Sequence, residues 1–251
     1  MPKSTDDILW NIPEQKTGVL QLIGGHAGSF ATVVKLAEFL NTLPLREVRI
    51  TLPNSLQGKL PPLPGLSFAP ATDSGSFAKS PEFTAAFADA DFTLICGDLS
   101  KNSATAIAVV EALKSSTQPA LITRDAVDLI TPEAGDLIEH PGLTIFASMA
   151  QLQKLFRALY YPKMLLLSAP LQQVTETLHK FTLSYPCTIL TLHGGQLIVA
   201  QGGRASVLPL DKTSYSAISL WSGQLAGRIA ALQLWNPNRP LDATLAALSW
   251  E

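Results

Sequence analysis

The chain has little that reacts or binds metal. Its 251 residues include two cysteines and four histidines. Two isolated cysteines cannot make a disulfide framework, and a zinc site needs more ligands at closer spacing. Cys96 (in DFTLICG) and Cys187 (in CTILTL) lie inside apolar runs and read as buried strand thiols. No histidine, cysteine or carboxylate set has metal-ligand spacing, so no metal site is expected. GxSxG is missing, and no Ser-His-Asp arrangement is visible. Charge is sparse as well: 18 Lys and Arg against 20 Asp and Glu leave a net charge of −2. Without a basic run or basic–aromatic interleaving, a nucleic-acid partner is excluded. No apolar run approaches the roughly 20 residues of a membrane span. The opening MPKSTDDILW is polar and acidic, unlike a signal peptide. The expectation is a soluble, cytoplasmic protein with no membrane partner.

What the chain does have is apolar residues, 47% of the total, enough for a large core. With no composition break and no internal repeat, residues 1–251 read as one domain. Strands are expected over 18–23, 46–52, 91–97, 118–123, 142–147 and 163–168 (KMLLLS). Helices are expected between them: one carrying Val33, Leu36, Ala37 and Leu40, then about 103–114, 149–159 and 171–181. Residues 56–81 hold five prolines and read as a long loop containing a strand. The rhythm then changes. Residues 187–193, a Gly194-Gly195 turn and 196–200 read as a hairpin, joined by a strand near 205–208. Helices over 219–234 and 241–248 close the chain. Alternating strands and helices imply a parallel, doubly wound sheet with a late antiparallel addition. Ligands in such sheets lie beyond the carboxyl ends of the strands.

Five turns are therefore candidates. GGHAG (24–28) follows the first strand but matches neither a Walker loop nor GxGxxG; it is a tight turn or a ligand loop, with His26 in it. ICGDLSKN (95–102) offers Gly97 and Asp98. Asp98 reads as a base, a metal ligand or a complement to the helix dipole, with Ser100 or Asn102 as the cap. ITRDAVDLI (122–130) carries Arg124, Asp125 and Asp128 at a strand end. TLHGGQ (191–196) offers His193 at a hairpin. SLWSGQLAGRIAA (219–231) reads as a helix start, with Ser222 as a cap and Gly223, Ala226 and Gly227 open to close approach. Its amides and dipole suit an anion, yet no group beside it is more reactive than a serine hydroxyl.

In sequence order these turns resemble the ribokinase-like ADP/ATP-dependent NAD(P)H-hydrate dehydratases, from about Gln15 to Leu248. Gln15-Lys16-Thr17-Gly18 is similar to that family's opening Lys-Gly, GGHAGSFAT stands where GGS and a glycine loop are expected, and TLPNS ends the next strand. GPGLG corresponds to Gly97-Asp98-Leu99-Ser100-Lys101, with one glycine kept. DADALN corresponds to Thr123-Arg124-Asp125-Ala126-Val127-Asp128. TPHPGE falls on Phe146-Ala147-Ser148-Met149-Ala150-Gln151, with every signature residue gone. KGxxT falls on His193-Gly194-Gly195-Gln196-Leu197, without the lysine. GTGD falls on Leu220-Trp221-Ser222-Gly223, so the acid/base aspartate of the related enzymes is replaced by Gly223.

The resemblance implies a three-layer α/β/α fold with a mostly parallel central sheet and a late antiparallel hairpin. It implies nucleotide contacts at His193, Gly194, Gly195, Ser222 and Gly223, and substrate contacts at Gly25, Thr32, Gly97, Asp98, Asp125 and Ser148. It also implies ADP or ATP with Mg²⁺, an adenine nucleotide or NAD(P)H-hydrate as ligand, and a homo-oligomer. Two readings stay open. One is a binding module without catalysis, supported by the joint loss of the acid, the lysine and the His-Pro-Gly-Glu set, and by Leu220 and Trp221 filling the phosphate turn. The other is a divergent dehydratase or small-molecule kinase. There Asp98, Asp125 or Asp211 would supply the carboxylate, and His193 or Arg204 would hold phosphate. The apolar LFRALYYPKMLLL is core or interface.

Overall fold

Strand β1 (Val19–Ile23) is buried at every position because both faces of the sheet are covered, and its one polar residue, Gln21, donates from Nε2 to Thr51 Oγ1 at 2.9 Å. It is an interior strand of the computed structural model, which describes residues 4–210 and 223–250. On one side β1 pairs in parallel with β2 (Glu47–Pro53), which pairs with β3 (Leu66–Ala69). On the other side β4 (Phe92–Ile95), β5 (Ala120–Thr123), β6 (Leu143–Ala147) and β7 (Thr188–His193) follow, all parallel. The antiparallel strands β8 (Gln196–Gln201) and β9 (Arg204–Pro209) complete a nine-stranded sheet, ordered β3-β2-β1-β4-β5-β6-β7-β8-β9.

Two apolar clusters cover the two faces. One takes in α3 (Pro81–Ala88), α4 (Ser103–Ser115), α5 (Asp125–Ile130), α6 (Ala134–Leu137), α7 (Met149–Ala158) and α8 (Leu171–Ser184). The other takes in α1 (Ser4–Trp10), α2 (Ala31–Leu40), α9 (Gln224–Trp235) and α10 (Pro240–Ser249). The result is the three-layer α/β/α arrangement expected. Local signals set the helix ends: Asn102 caps α4 by accepting from the amides of Ala104 and Thr105, at 2.8 and 3.3 Å. A buried Gln233 ties α9 to the sheet and to α10. Its Oε1 accepts from Thr144 Oγ1 at 3.0 Å, and its Nε2 donates to Thr244 Oγ1 at 2.9 Å.

Two expectations need correction. KMLLLS (163–168) is not a strand: β6 pairs directly with β7, so the sheet has no slot for it. The segment is an irregular connection that buries Leu165 and exposes Met164, Leu166 and Leu167. Cys96 and Cys187 are buried, but each lies one residue outside a strand, after β4 and before β7. Burial pushes both thiols up to about 12, so neither is a nucleophile near neutral pH. The expected helix start at 219–222 lies outside the described residues.

Candidate functional site

The first candidate turn is closed. The amide of Gly25 donates to the Gly97 carbonyl at 3.1 Å, which joins the ends of β1 and β4. A Cβ on Gly24 would lie 2.7 Å from both Cys96 Sγ and the Gly97 carbonyl oxygen. The loop 71–77 packs on this turn, with the Ala27 amide on the Gly75 carbonyl at 2.9 Å and Ser76 Oγ on the Leu99 carbonyl. The glycines therefore serve backbone-to-backbone approach, and Gly25 is buried. His26 Nδ1 accepts from the Gly28 amide at 3.0 Å and shapes the turn. Thr32 lies half-buried in the first turn of α2.

The open site is at the ends of β4, β5 and β6. A cleft of about 360 Å³ is lined by Asp98, Arg124, Asp125, Asp128, Ser148 and Lys154, among others. The structure thus brings together Asp98, Asp125 and Ser148, with Gly97 beneath them. Asp125 Oδ2 accepts from the amides of Leu99 and Ser100, at 2.8 and 3.1 Å. These bonds clamp a loop in which Asp98 and Ser100 both take left-handed backbone angles, φ 57° and 67°. Arg124 is left-handed too, at φ 59°. Such conformations cost non-glycine residues of order 1–3 kcal/mol each and persist only where surroundings hold them. Here the clamp and the Arg124–Asp98 ion pair, 2.7 Å long and largely shielded, supply that hold.

The carboxyls differ in their environments. Burial pushes Asp125 above the ordinary carboxylate range, and neighbouring Asp98 adds to the effect; the two amide bonds oppose it without cancelling it. Asp125 Oδ1 and Asp98 Oδ2 are buried without a hydrogen-bond partner. Burial acts on Asp128 as well, but hydrogen bonds from Lys154 at 2.6 Å and Gln151 at 2.8 Å outweigh it and hold that carboxyl low. Ser148 is committed to the start of α7 in a capping box: its Oγ accepts from the Gln151 amide, and Gln151 Oε1 accepts from the Ser148 amide. Gln151 Nε2 reaches on to the Arg124 carbonyl at 2.6 Å. Gln151 and Lys154 are not among the sequence's candidate site residues. The Ser-x-x-Gln spacing at 148–151 was the signal for the first, and one further turn of helix gives the second.

The remaining candidates lie outside this cleft's lining. His193 Nε2 bonds the Ala169 carbonyl at 2.7 Å. Gly194 and Gly195, φ 58° and 76°, form the two-residue turn between β7 and β8 that requires left-handed residues. Arg204, on β9, contacts Asp242 at 3.5 Å. Ser222 and Asp211 lie outside the described residues. Gly223 is the N-cap of α9, with φ 83° and no side chain to cap with. A Cβ there would meet Leu36 Cδ2 at 3.1 Å, and one on Gly227 would meet Leu36 Cδ1 at 3.0 Å. The small residues at this helix start let α9 pack closely on α2.

A mostly parallel sheet between two helical layers, with a polar cleft at the strand ends, is a doubly wound three-layer α/β/α fold, and the solved structures it superposes on include ribokinase-like proteins. A ribokinase-like superfamily protein from Enterococcus faecalis superposes with a TM-score of 0.70 at 16% identity, covering 96% of this chain and 82% of its own. The ADP/ATP-dependent NAD(P)H-hydrate dehydratase of Bacillus subtilis, co-crystallised with ATP/Mg²⁺ and soaked with CoA, gives 0.65 at 16% identity, covering 97% and 84%. An ADP complex of Bacillus subtilis pyridoxal kinase gives 0.54 at 12%, covering 92% and 89%. No family model matches the sequence. No curated protein matches it significantly either. At such identities the likeness establishes the fold.

Proposed function

We propose that the chain is a ribokinase-like binding protein that takes an adenine nucleotide or dinucleotide and has lost the acid/base of the NAD(P)H-hydrate dehydratases it resembles. The observation that carries this is Gly223. The resemblance puts the dehydratases' aspartate at this position, but the backbone is left-handed here and the space beside it belongs to Leu36. A side chain at 223 is strained whatever its chemistry. Loss of a positioned acid or base typically costs about 10²–10⁴ in rate. The first-turn amides of α9 would meet the phosphate oxygens. His193, where the family's lysine is expected, is engaged by Ala169. No group of three or more His, Cys, Asp or Glu side chains among the described residues forms a cation site, so Mg²⁺ has no assigned ligands and no step is routed through it.

Thermal unfolding with and without ADP, ATP or NADPH tests the binding. A ligand at about 100 times its Kd adds about 2.7 kcal/mol. For a protein of this size that is a rise of about 5–10 °C. A rise with an adenine nucleotide supports the reading, and a flat result with all three overturns it. One observation favours a second reading, a working enzyme with a relocated group. Asp125 has a raised affinity for its proton beside an open cleft, which is the setting of a general acid.

A further inference from the structure

The segment that the sequence assigns to a strand, 163–168, carries a concentration of exposed apolar side chains. Seven large hydrophobic side chains among the described residues are exposed, and four of them fall within eight residues: Tyr160 (92% exposed), Met164 (76%), Leu166 (48%) and Leu167 (61%). Contiguous exposed apolar groups on a folded protein mark a contact surface. Their display is fixed from beneath. The Tyr161 ring packs against Phe156 and Phe181 at 4.9 and 5.1 Å, and Leu165 is buried with its carbonyl accepting from Gln153 Nε2. The Ala169 amide donates to the Leu166 carbonyl at 3.0 Å, and His193 holds the Ala169 carbonyl. With Tyr161, Leu165 and Ala169 anchored inward, the intervening side chains have only solvent to face.

The charge around this loop is one-sided. Between Glu139 and Glu176 the sequence has no acidic residue and three basic ones, of which Lys154 is paired with Asp128 while Arg157 and Lys163 lie nearer the loop. Arg157, at the end of α7, and Lys163, inside the loop, are both exposed beside the apolar tips. Protruding tyrosine, methionine and leucine beside the cations Arg157 and Lys163 match an anionic lipid surface, where apolar tips enter the headgroup boundary and cations meet the phosphates. The same charge opposes two copies of the loop facing each other. We infer that the Tyr160–Leu167 loop is a peripheral contact for anionic membranes. Among the described residues no helix is long and apolar enough to cross a membrane, and surface contact requires none.

Flotation of the full chain with phosphatidylcholine vesicles, with and without phosphatidylserine, tests this. The protein should float with phosphatidylserine vesicles, release as salt rises, and stay behind with phosphatidylcholine alone. Leu166→Ser with Leu167→Ser should lower the partition at least about tenfold, since binding scales with the apolar area inserted. Lys163→Glu should weaken binding to phosphatidylserine vesicles, and Ile107→Ser, an exposed residue on α4, should change nothing. Circular dichroism of each variant reports that the fold is intact. Absence of flotation, or flotation that survives the double substitution, overturns the inference. So does a finding that the loop is buried by a second copy, seen as a dimer that the double substitution splits.

Discussion

Asp125 is the residue on which the cleft depends. It spends one oxygen on two loop amides and leaves the other buried and unpartnered. Because its proton is held more tightly in the folded chain than in the unfolded one, the stability it contributes is present below the unfolded pKa of about 3.9 and is lost as pH rises through the higher folded value. Asp125→Asn keeps an oxygen for Leu99 and Ser100 and cannot ionise. Its melting temperature relative to the parent should rise between pH 4 and pH 8, and an advantage that shrinks over that range would contradict the account. At this scale the sequence was legible in part. Asp98 and Asp125 read as strand-end acids, and the cap as Ser100 or Asn102, of which the structure uses Asn102. That Asp98 would pair with Arg124 across two turns was not readable, because the pair joins residues 26 apart through left-handed backbone that no local propensity favours.

At the scale of elements, α9 and α2 show that the glycines of a helix start also serve close packing of one helix on another. A Cβ on Gly227 would lie 3.0–3.3 Å from side-chain atoms of Leu36, Leu40 and Phe39, a tight fit already for one methyl group. Gly227→Leu should destabilise the protein by about 1–3 kcal/mol through overpacking, read as a lower melting temperature with no ligand present. An unchanged melting temperature would return these glycines to the ligand. The elements were largely legible: β1, β2, β4, β5, β6 and the hairpin fall where apolar runs and turn residues place them. The failures have two causes. KMLLLS has the composition of a strand, and only the direct pairing of β6 with β7 excludes it. The short helices α3, α5 and α6, of eight, six and four residues, are too brief for a 3.6-residue period to declare itself.

For the whole molecule, order carried more information than any single motif. The succession of turns resembled a ribokinase-like dehydratase although nearly every polar signature residue had changed, and the three-layer fold agrees. A sheet and its helices are specified by many apolar positions, each replaceable by another of similar size. A catalytic acid is one side chain at one backbone angle, and its loss leaves the fold untouched. The cleft that remains is polar and internally paired, with Arg124 on Asp98 and Lys154 on Asp128. A ligand must compete with those pairs to enter.

The most direct test is the rate at which the purified chain dehydrates hydrated NADPH with ADP or ATP and Mg²⁺ present. The account predicts a rate indistinguishable from the uncatalysed reaction, because the proposed function puts Gly223 where the dehydratases carry their acid. Nucleotide-dependent turnover that Asp125→Asn abolishes would contradict it and make Asp125 the relocated acid.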